Sequence, residues 1–310
     1  MEGKMEFSAH LPSFLIIGGK AGSTSIHQYL RQHPAVSLPK RKETHFFVCD
    51  RDGTASPESY FGRQLLNPIN NLDDYIADFE DGKEKSFFGE VCPSYLFFPN
   101  AAENIYRRIP NAKIVCLLRN PVERFYSNYQ FNKNLKSQEN NKVSDFTRAD
   151  FDKLTLDLEN CKDHQVQRYL AEGKYYEQLS RYMSIFPSEN IRIYLFDELQ
   201  KNPKWLMTSL AEFIGLPSFE FDVNMKFNVS GKFRFFWIYK TFRGSKAAHL
   251  FQRVFPPIIY QRIRYYIEGM VFKRDNGMSV ESRKRLNSYY YREIIALQEL
   301  LGRDLSDWLQ

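Results

Sequence analysis

Within Gly18-Gly19-Lys20-Ala21-Gly22-Ser23-Thr24-Ser25, a lysine, three glycines and three hydroxyl side chains fall in eight consecutive residues. A turn of this composition between a buried strand and a helix start points several backbone N–H groups at one spot. The helix dipole adds partial positive charge there, and Lys20 adds a full one. Glycines let an oxyanion approach the backbone closely, and the hydroxyls supply further donors. Such a loop holds a phosphate or a sulfate. It is not the loop of nucleoside triphosphatases, GxxxxGK[ST], whose lysine directly precedes the Ser/Thr that holds magnesium. Here Lys20 precedes Ala21-Gly22, and no acidic residue ends the third predicted strand to hold a metal.

The elements that must position this loop are legible on either side of it. Phe14 to Ile17 is a continuous apolar run, as expected of a strand buried on both faces. After the loop, Ile26, Tyr29 and Leu30 recur at helical spacing, with Ser or Thr as the expected N-cap. Further strands are predicted at Ser86–Glu90, Lys113–Leu118 and Ile191–Phe196. Helices are predicted at Ala101–Arg108, from Pro121 to about Phe131, across Gln165–Phe186, and at Lys204–Ile214, closed by Gly215. This alternation predicts an α/β, three-layer fold with a central, mostly parallel sheet flanked by helices. One domain over 1–310 is expected, with a polar excursion, lid or insertion at 132–163 and a mostly helical part at 233–310.

Several motifs in order resemble PAPS-dependent sulfotransferases, the enzymes that use 3′-phosphoadenosine-5′-phosphosulfate, and in particular their heparan-sulfate-type and bacterial branch. Lys-x-Gly-Ser-Thr-Ser at Lys20–Ser25 resembles the family's 5′-phosphosulfate loop. Cys116-Leu117-Leu118-Arg119-Asn120-Pro121-Val122-Glu123-Arg124-Phe125-Tyr126-Ser127 resembles its 3′-phosphate motif, an Arg at a strand end with a Ser eight residues on. That spacing is physically sound. Arg119 leaves the sheet at its carboxyl edge, where α/β folds bind ligands, and Ser127 follows two helical turns later. Lys42-Glu43-Thr44-His45-Phe46-Phe47 is similar to a Lys-Glu-x-His-Phe-Phe segment of the glycan enzymes. Gly173-Lys174-Tyr175-Tyr176, Asn228–Arg234 and Leu301–Trp308 extend the likeness along the chain.

The resemblance implies roles. Lys20 would face the oxygen bridging sulfate and 5′-phosphate. Ala21, Gly22, Ser23, Thr24 and Ser25 would bind the 5′ end, Arg119 and Ser127 the 3′-phosphate, and Gly231, Lys232 and Arg234 would close over the nucleotide. Glu43 is the family's general base and His45 its rival. If 43–45 is extended, alternate residues share a side and both reach the cleft. Lys42, Glu90, Ser94 and Tyr95 would border the acceptor. Several glycan enzymes have a Lys where this chain has Glu90, which argues against a highly sulfated acceptor. The cofactor implied is PAPS, with 3′-phosphoadenosine-5′-phosphate (PAP) as product and no metal. The acceptor implied is a hydroxyl, or less favourably an amine, of a glycan, glycolipid or small metabolite.

Bulk properties narrow the alternatives. A formal charge of +6 favours an anionic ligand, yet no basic repeat or zinc-finger spacing supports nucleic acid. Cys49, Cys92, Cys116 and Cys161 stand apart with no CxxC pair, as in a reducing compartment. The N-terminus has no signal-peptide pattern and no apolar run approaches a membrane span, so a cytoplasmic, soluble or peripheral protein is expected. Residues 233–274 interleave aromatic and basic side chains; they read as helices packed on the core or as peripheral membrane contact. Two other functions compete with sulfuryl transfer. One is a P-loop kinase or other phosphotransferase, which would need magnesium. The other is a non-catalytic binding protein on the same fold.

Overall fold

The structure, a computed structural model, describes residues 11–48, 68–79, 85–139, 148–224, 232–233, 272–273 and 277–310. Five strands, β1 (Phe14–Ile17), β2 (Val36–Ser37), β3 (Phe87–Val91), β4 (Lys113–Leu118) and β5 (Ile191–Leu195), form one sheet in the order β2-β3-β1-β4-β5. Every neighbouring pair is parallel. β1 lies in the middle, where the winding direction reverses, the position at which open α/β sheets place their ligand crevice.

The apolar runs form strands because both faces are covered. Leu15, Ile17, Ile114, Cys116 and Leu118 enter one hydrophobic cluster, while Phe14, Ile16, Val115 and Leu117 enter the other. Alternate residues of β1 and β4 thus feed opposite layers, as the pleat requires. The helices are α1 (Ser23–Leu30), α2 (Leu72–Ala77), α3 (Pro99–Arg108), α4 (Pro121–Glu139), α5 (Arg148–Leu154), α6 (His164–Ala171), α7 (Tyr175–Ile185), α8 (Phe196–Lys201), α9 (Pro203–Ile214) and α10 (Val280–Leu301). α1 and α9 pack on one face of the sheet; α3, α4, α6, α7 and α10 pack on the other. A two-residue antiparallel pair, β6 (Lys232–Phe233) with β7 (Phe272–Lys273), completes the described elements.

The three-layer α/β expectation holds, and the five-stranded sheet is wholly parallel. β4 spans the predicted residues, and α9 ends at Gly215 in a left-handed cap. Several details differ. β2 is too short to show periodicity. α4 continues past Phe131 to Glu139, and α5 follows, so part of the polar excursion is helix. The Gln165–Phe186 span is two helices separated at Gly173, where an added Cβ would stand 2.7 Å from the Tyr290 hydroxyl. Residues 140–147 of the excursion, and 234–271 of the aromatic-basic stretch, lie outside the described residues.

Gly18 has φ +100, and a Cβ there would lie 2.1 Å from the Leu117 carbonyl oxygen. Gly302, with φ +59, has nothing within 4 Å of such a Cβ. Gly18→Ala is therefore expected to cost ~3 kcal/mol or more, and Gly302→Ala only ~1 kcal/mol. Denaturant unfolding of the two variants checks the difference.

Candidate active site

The glycine-bearing turn is set against the carboxyl ends of β3 and β4. The Gly18 N–H donates to the Pro93 carbonyl at 3.1 Å, and Lys20 takes a left-handed backbone, φ 60. The expected Ser/Thr N-cap is corrected: Gly22 caps α1, with φ 87, and no side chain caps that end. A Cβ on Gly22 would stand 2.3 Å from Leu199. Ser23, Thr24 and Ser25 are consequently the first three residues of α1, and their amides and hydroxyls lie at the dipole's positive end. Ala21 is buried among apolar side chains and offers the site only its backbone.

Lys20 and Arg119 meet. The Arg119 guanidinium donates from Nη1 to the Lys20 carbonyl at 3.3 Å. It also lies over the Phe196 ring at 4.8 Å and pairs with Glu123 at 3.8 Å. The Tyr175 hydroxyl donates to the Arg119 carbonyl at 3.0 Å, fixing the backbone at the end of β4. The Lys20 ammonium sits 3.4 Å above the centre of the Phe131 ring. Burial pulls its pKa down from 10.5 to about 7, against the upward pull of Glu172 and then Glu43. Glu172 is itself held by Arg124 and Asn128, each at 2.8 Å. Ser127 is buried on α4, one turn before Phe131.

The Lys42–His45 segment is not extended. Glu43 and His45 have φ 66 and 58; with Lys20 they are the described non-glycine residues in the left-handed region. Strained backbone of this kind persists where surrounding contacts over-determine it. The contact here is Thr44, whose N–H and hydroxyl both donate to the buried Glu90 carboxylate, at 3.1 and 2.6 Å. Tyr75 and Tyr95 donate to Glu90 as well, at 2.7 and 3.0 Å. Burial holds the Glu90 carboxyl above its ordinary range, and the hydrogen bonds from Thr44, Tyr75 and Tyr95 offset that only in part.

Glu43 and His45 therefore do not share a side by strand alternation. Glu43 is partly exposed and forms an ion pair with Lys42. His45 is buried, its Nδ1 2.8 Å from the Ser94 hydroxyl and 3.6 Å from Cys92 Sγ. Phe46 stacks on Tyr75 at 4.2 Å in the core. Glu90 and Tyr95, expected to border the acceptor, are a second correction: both are buried beneath the Lys42–His45 segment, and their mutual hydrogen bonds give them a supporting position. Ser94 is buried against His45. Gly231 and Arg234 lie outside the described residues, and Lys232 is the first residue of β6.

Sequence reasoning missed three neighbours of the cationic cluster: Phe131, Phe196 and Glu172. Phe131 had a local signal, being four residues after Ser127 on one helix. Phe196 opens the Phe196-Asp197-Glu198-Leu199 segment, which adds to the family likeness; Glu172 had no such signal. Among the described residues no helix is long and apolar enough to cross a membrane.

This arrangement, a strand–turn–helix anion cradle beside an arginine at the next strand's end, coincides with a family assignment. The sulfotransferase domain model matches residues 12–298, and the chain belongs to that family. The bifunctional heparan sulfate N-deacetylase/N-sulfotransferase 1 of Caenorhabditis briggsae is 28% identical over 225 residues, covering 72% of this chain and 25% of that protein. The membrane-associated sulfotransferase kil1 of Dictyostelium discoideum is 23% identical over 282 residues, covering 66% and 56%. Mouse heparan sulfate glucosamine 3-O-sulfotransferase 5 is 25% identical, covering 83% and 69%. The chain thus spans from a quarter to just over half the length of the first two relatives. A sulfotransferase structure from Alicyclobacillus acidocaldarius shares the fold, with TM-score 0.65, 24% identity, and coverage of 97% of this chain and 99% of that one.

Thr44→Val removes one donor from Glu90 at constant shape. Its expected effect is a loss of about 2 kcal/mol, read as a lower unfolding midpoint with unchanged denaturant slope.

Proposed function

We propose that this chain transfers a sulfuryl group from PAPS to a hydroxyl of a carbohydrate or glycoconjugate acceptor. The observation that carries the reading is the Arg119–Lys20 contact, which makes the two cationic ends of the cradle parts of one site. The donor set fits a doubly phosphorylated nucleotide. An uncapped helix end and a lysine depressed by burial both gain from an anion, and Arg119 supplies a second cation beside them.

In this reading Gly22 to Ser25 hold the 5′-phosphate through amides and hydroxyls, while Arg119 and Ser127 hold the 3′-phosphate. PAPS supplies an activated sulfuryl group whose leaving oxygen belongs to the 5′-phosphate. Glu43 takes the proton of the acceptor hydroxyl as the new O–S bond forms. The electron pair of the breaking S–O bond passes to the 5′-phosphate oxygen, where Lys20 stabilises it. Lys42 is adjacent to the same carboxylate and serves the sulfuryl oxygens. His45, hydrogen-bonded below, holds the segment.

The names of the heparan sulfate relatives support a carbohydrate acceptor.

Glu43→Gln is expected to lower kcat by at least ~100-fold while leaving the calorimetric Kd for PAP unchanged; transfer of label from ³⁵S-PAPS at the wild-type rate would exclude Glu43 as base. A parallel titration with ATP and magnesium distinguishes a phosphotransferase. The lysine makes a further expectation about pH. In the ligand-free protein its pKa is about 7, and a bound phosphate raises it, so binding takes up a proton wherever free Lys20 is neutral. Above pH 7.5 the Kd for PAP should weaken about tenfold per pH unit. Calorimetry at pH 8 in buffers of different ionisation enthalpy should register that uptake, and Lys20→Met should abolish it.

A further inference from the structure

Two arginines meet one carboxylate beyond the end of β4. Glu123, in the first turn of α4, faces Arg119 through Oε2 at 3.8 Å and pairs with Arg283 of α10 through Oε1. The two contacts are unequal. Arg283 donates a hydrogen bond to the carboxylate from Nη2. Arg119 Nη2, at 3.8 Å, is too far away to do so. Arg119 commits Nη1 to the Lys20 carbonyl at 3.3 Å, so its Nη2 edge faces Glu123 without bonding it.

Helix electrostatics do not account for this grouping. An acid in the first turn of α4 suits the helix dipole, but this one stands beside the arginine read as the 3′-phosphate ligand, where a second anion opposes phosphate. A cation in the first turn of α10 is disfavoured by that helix's own dipole. Arg283 is nonetheless presented from a fixed base. Ser279 caps α10 by accepting from the Ser282 N–H at 3.0 Å, and both serine hydroxyls donate to Asp152, that of Ser282 at 2.6 Å. The start of α4 is fixed as well. The Asn120 side chain accepts from the Val122 N–H at 2.9 Å and donates to the Trp308 carbonyl at 3.1 Å. The Glu123–Arg283 bond is thus anchored at both ends, between residues 160 apart in the chain.

We propose that Arg283 is the positioning residue for the 3′-phosphate end of the site: it holds the Glu123 carboxylate off Arg119, and so sets the preference for a 3′-phosphorylated adenine nucleotide over one with a free 3′-hydroxyl. The inference rests on the sulfuryl-transfer reading above and adds to it the residue that governs discrimination at the 3′ position. Without Arg283 the carboxylate can turn onto Arg119 as a bidentate pair, the arrangement a phosphate would otherwise take. With Arg283 in place, Arg119 keeps its Nη2 edge for the nucleotide.

The test compares two probes, PAP and adenosine 5′-monophosphate (AMP), by calorimetry on the full chain at fixed ionic strength. Arg283→Ala is expected to weaken the Kd for PAP about tenfold and to leave that for AMP unchanged. Arg283→Lys, which keeps a cation for the carboxylate, should restore the preference. Glu123→Gln should bind PAP at least as tightly as the wild type, and adding Arg283→Ala to it should lose no further affinity. Equal weakening of PAP and AMP by Arg283→Ala would mark a structural role and overturn the inference. So would a weaker PAP Kd in Glu123→Gln alone, or an undiminished loss in the double variant, the sign of direct contact or long-range charge. Should Arg283→Ala fail to fold, Arg283→Met keeps the apolar stem and takes its place. If the wild-type chain binds PAP no more tightly than AMP, the sulfuryl-transfer reading itself falls. If it prefers PAP and Arg283→Ala keeps that preference, this inference alone is overturned.

Discussion

The turn after β1 crosses the end of β4 at a distance that excludes even a methyl group. With the Leu117 carbonyl only 2.1 Å from where a Gly18 Cβ would sit, the backbone of the loop lies directly on the next strand's last residues. Parallel pairing in register, Ile17 opposite Cys116, sets that approach. The rest of the site follows from it. The loop that presents Lys20 and the uncapped start of α1 cannot be displaced without moving Arg119, and Arg119 closes the junction by donating to the Lys20 carbonyl.

Around this junction each cation of the site has a local partner that an incoming anion would outbid. Lys20 lies over Phe131, Arg119 over Phe196 and beside Glu123, and Lys42 beside Glu43. Contacts of this strength, roughly 0.5–1 kcal/mol for a half-exposed cation–π pair, orient long side chains without committing them. Phosphate and sulfate oxygens, charged and able to accept several bonds, compete well against them. Glu123 also reaches Arg283 on α10, so the arginine end of the site is tied to the C-terminal helix.

The Lys42–His45 segment is built on a different principle. Its backbone is forced into two left-handed residues, and the force comes from below, where the buried Glu90 collects donors from Thr44, Tyr75 and Tyr95. A carboxylate fully enclosed and fully hydrogen-bonded is rigid, and losing any one donor leaves it costly. Glu90 thus contributes by holding the shape of the Lys42–His45 segment.

How much of this was readable in the amino-acid order depended on the range of the interaction concerned. Apolar runs such as Phe14–Ile17 and Lys113–Leu118 had to be doubly covered strands. The glycines and hydroxyls of Lys20–Ser25 marked a turn at a helix start, and Arg119 stood at the end of a predicted strand. These are consequences of local periodicity and residue type. The length of α4, the left-handed bends at Glu43 and His45, the burial of Glu90, and the ring of Phe131 beneath Lys20 were decided only in three dimensions. No glycine marks those bends, and a glutamate's partners come from three separate segments. Sequence determined which groups carry the charge; tertiary packing decided which of them face the cleft, because burial and φ at a given residue are set by what lands against it.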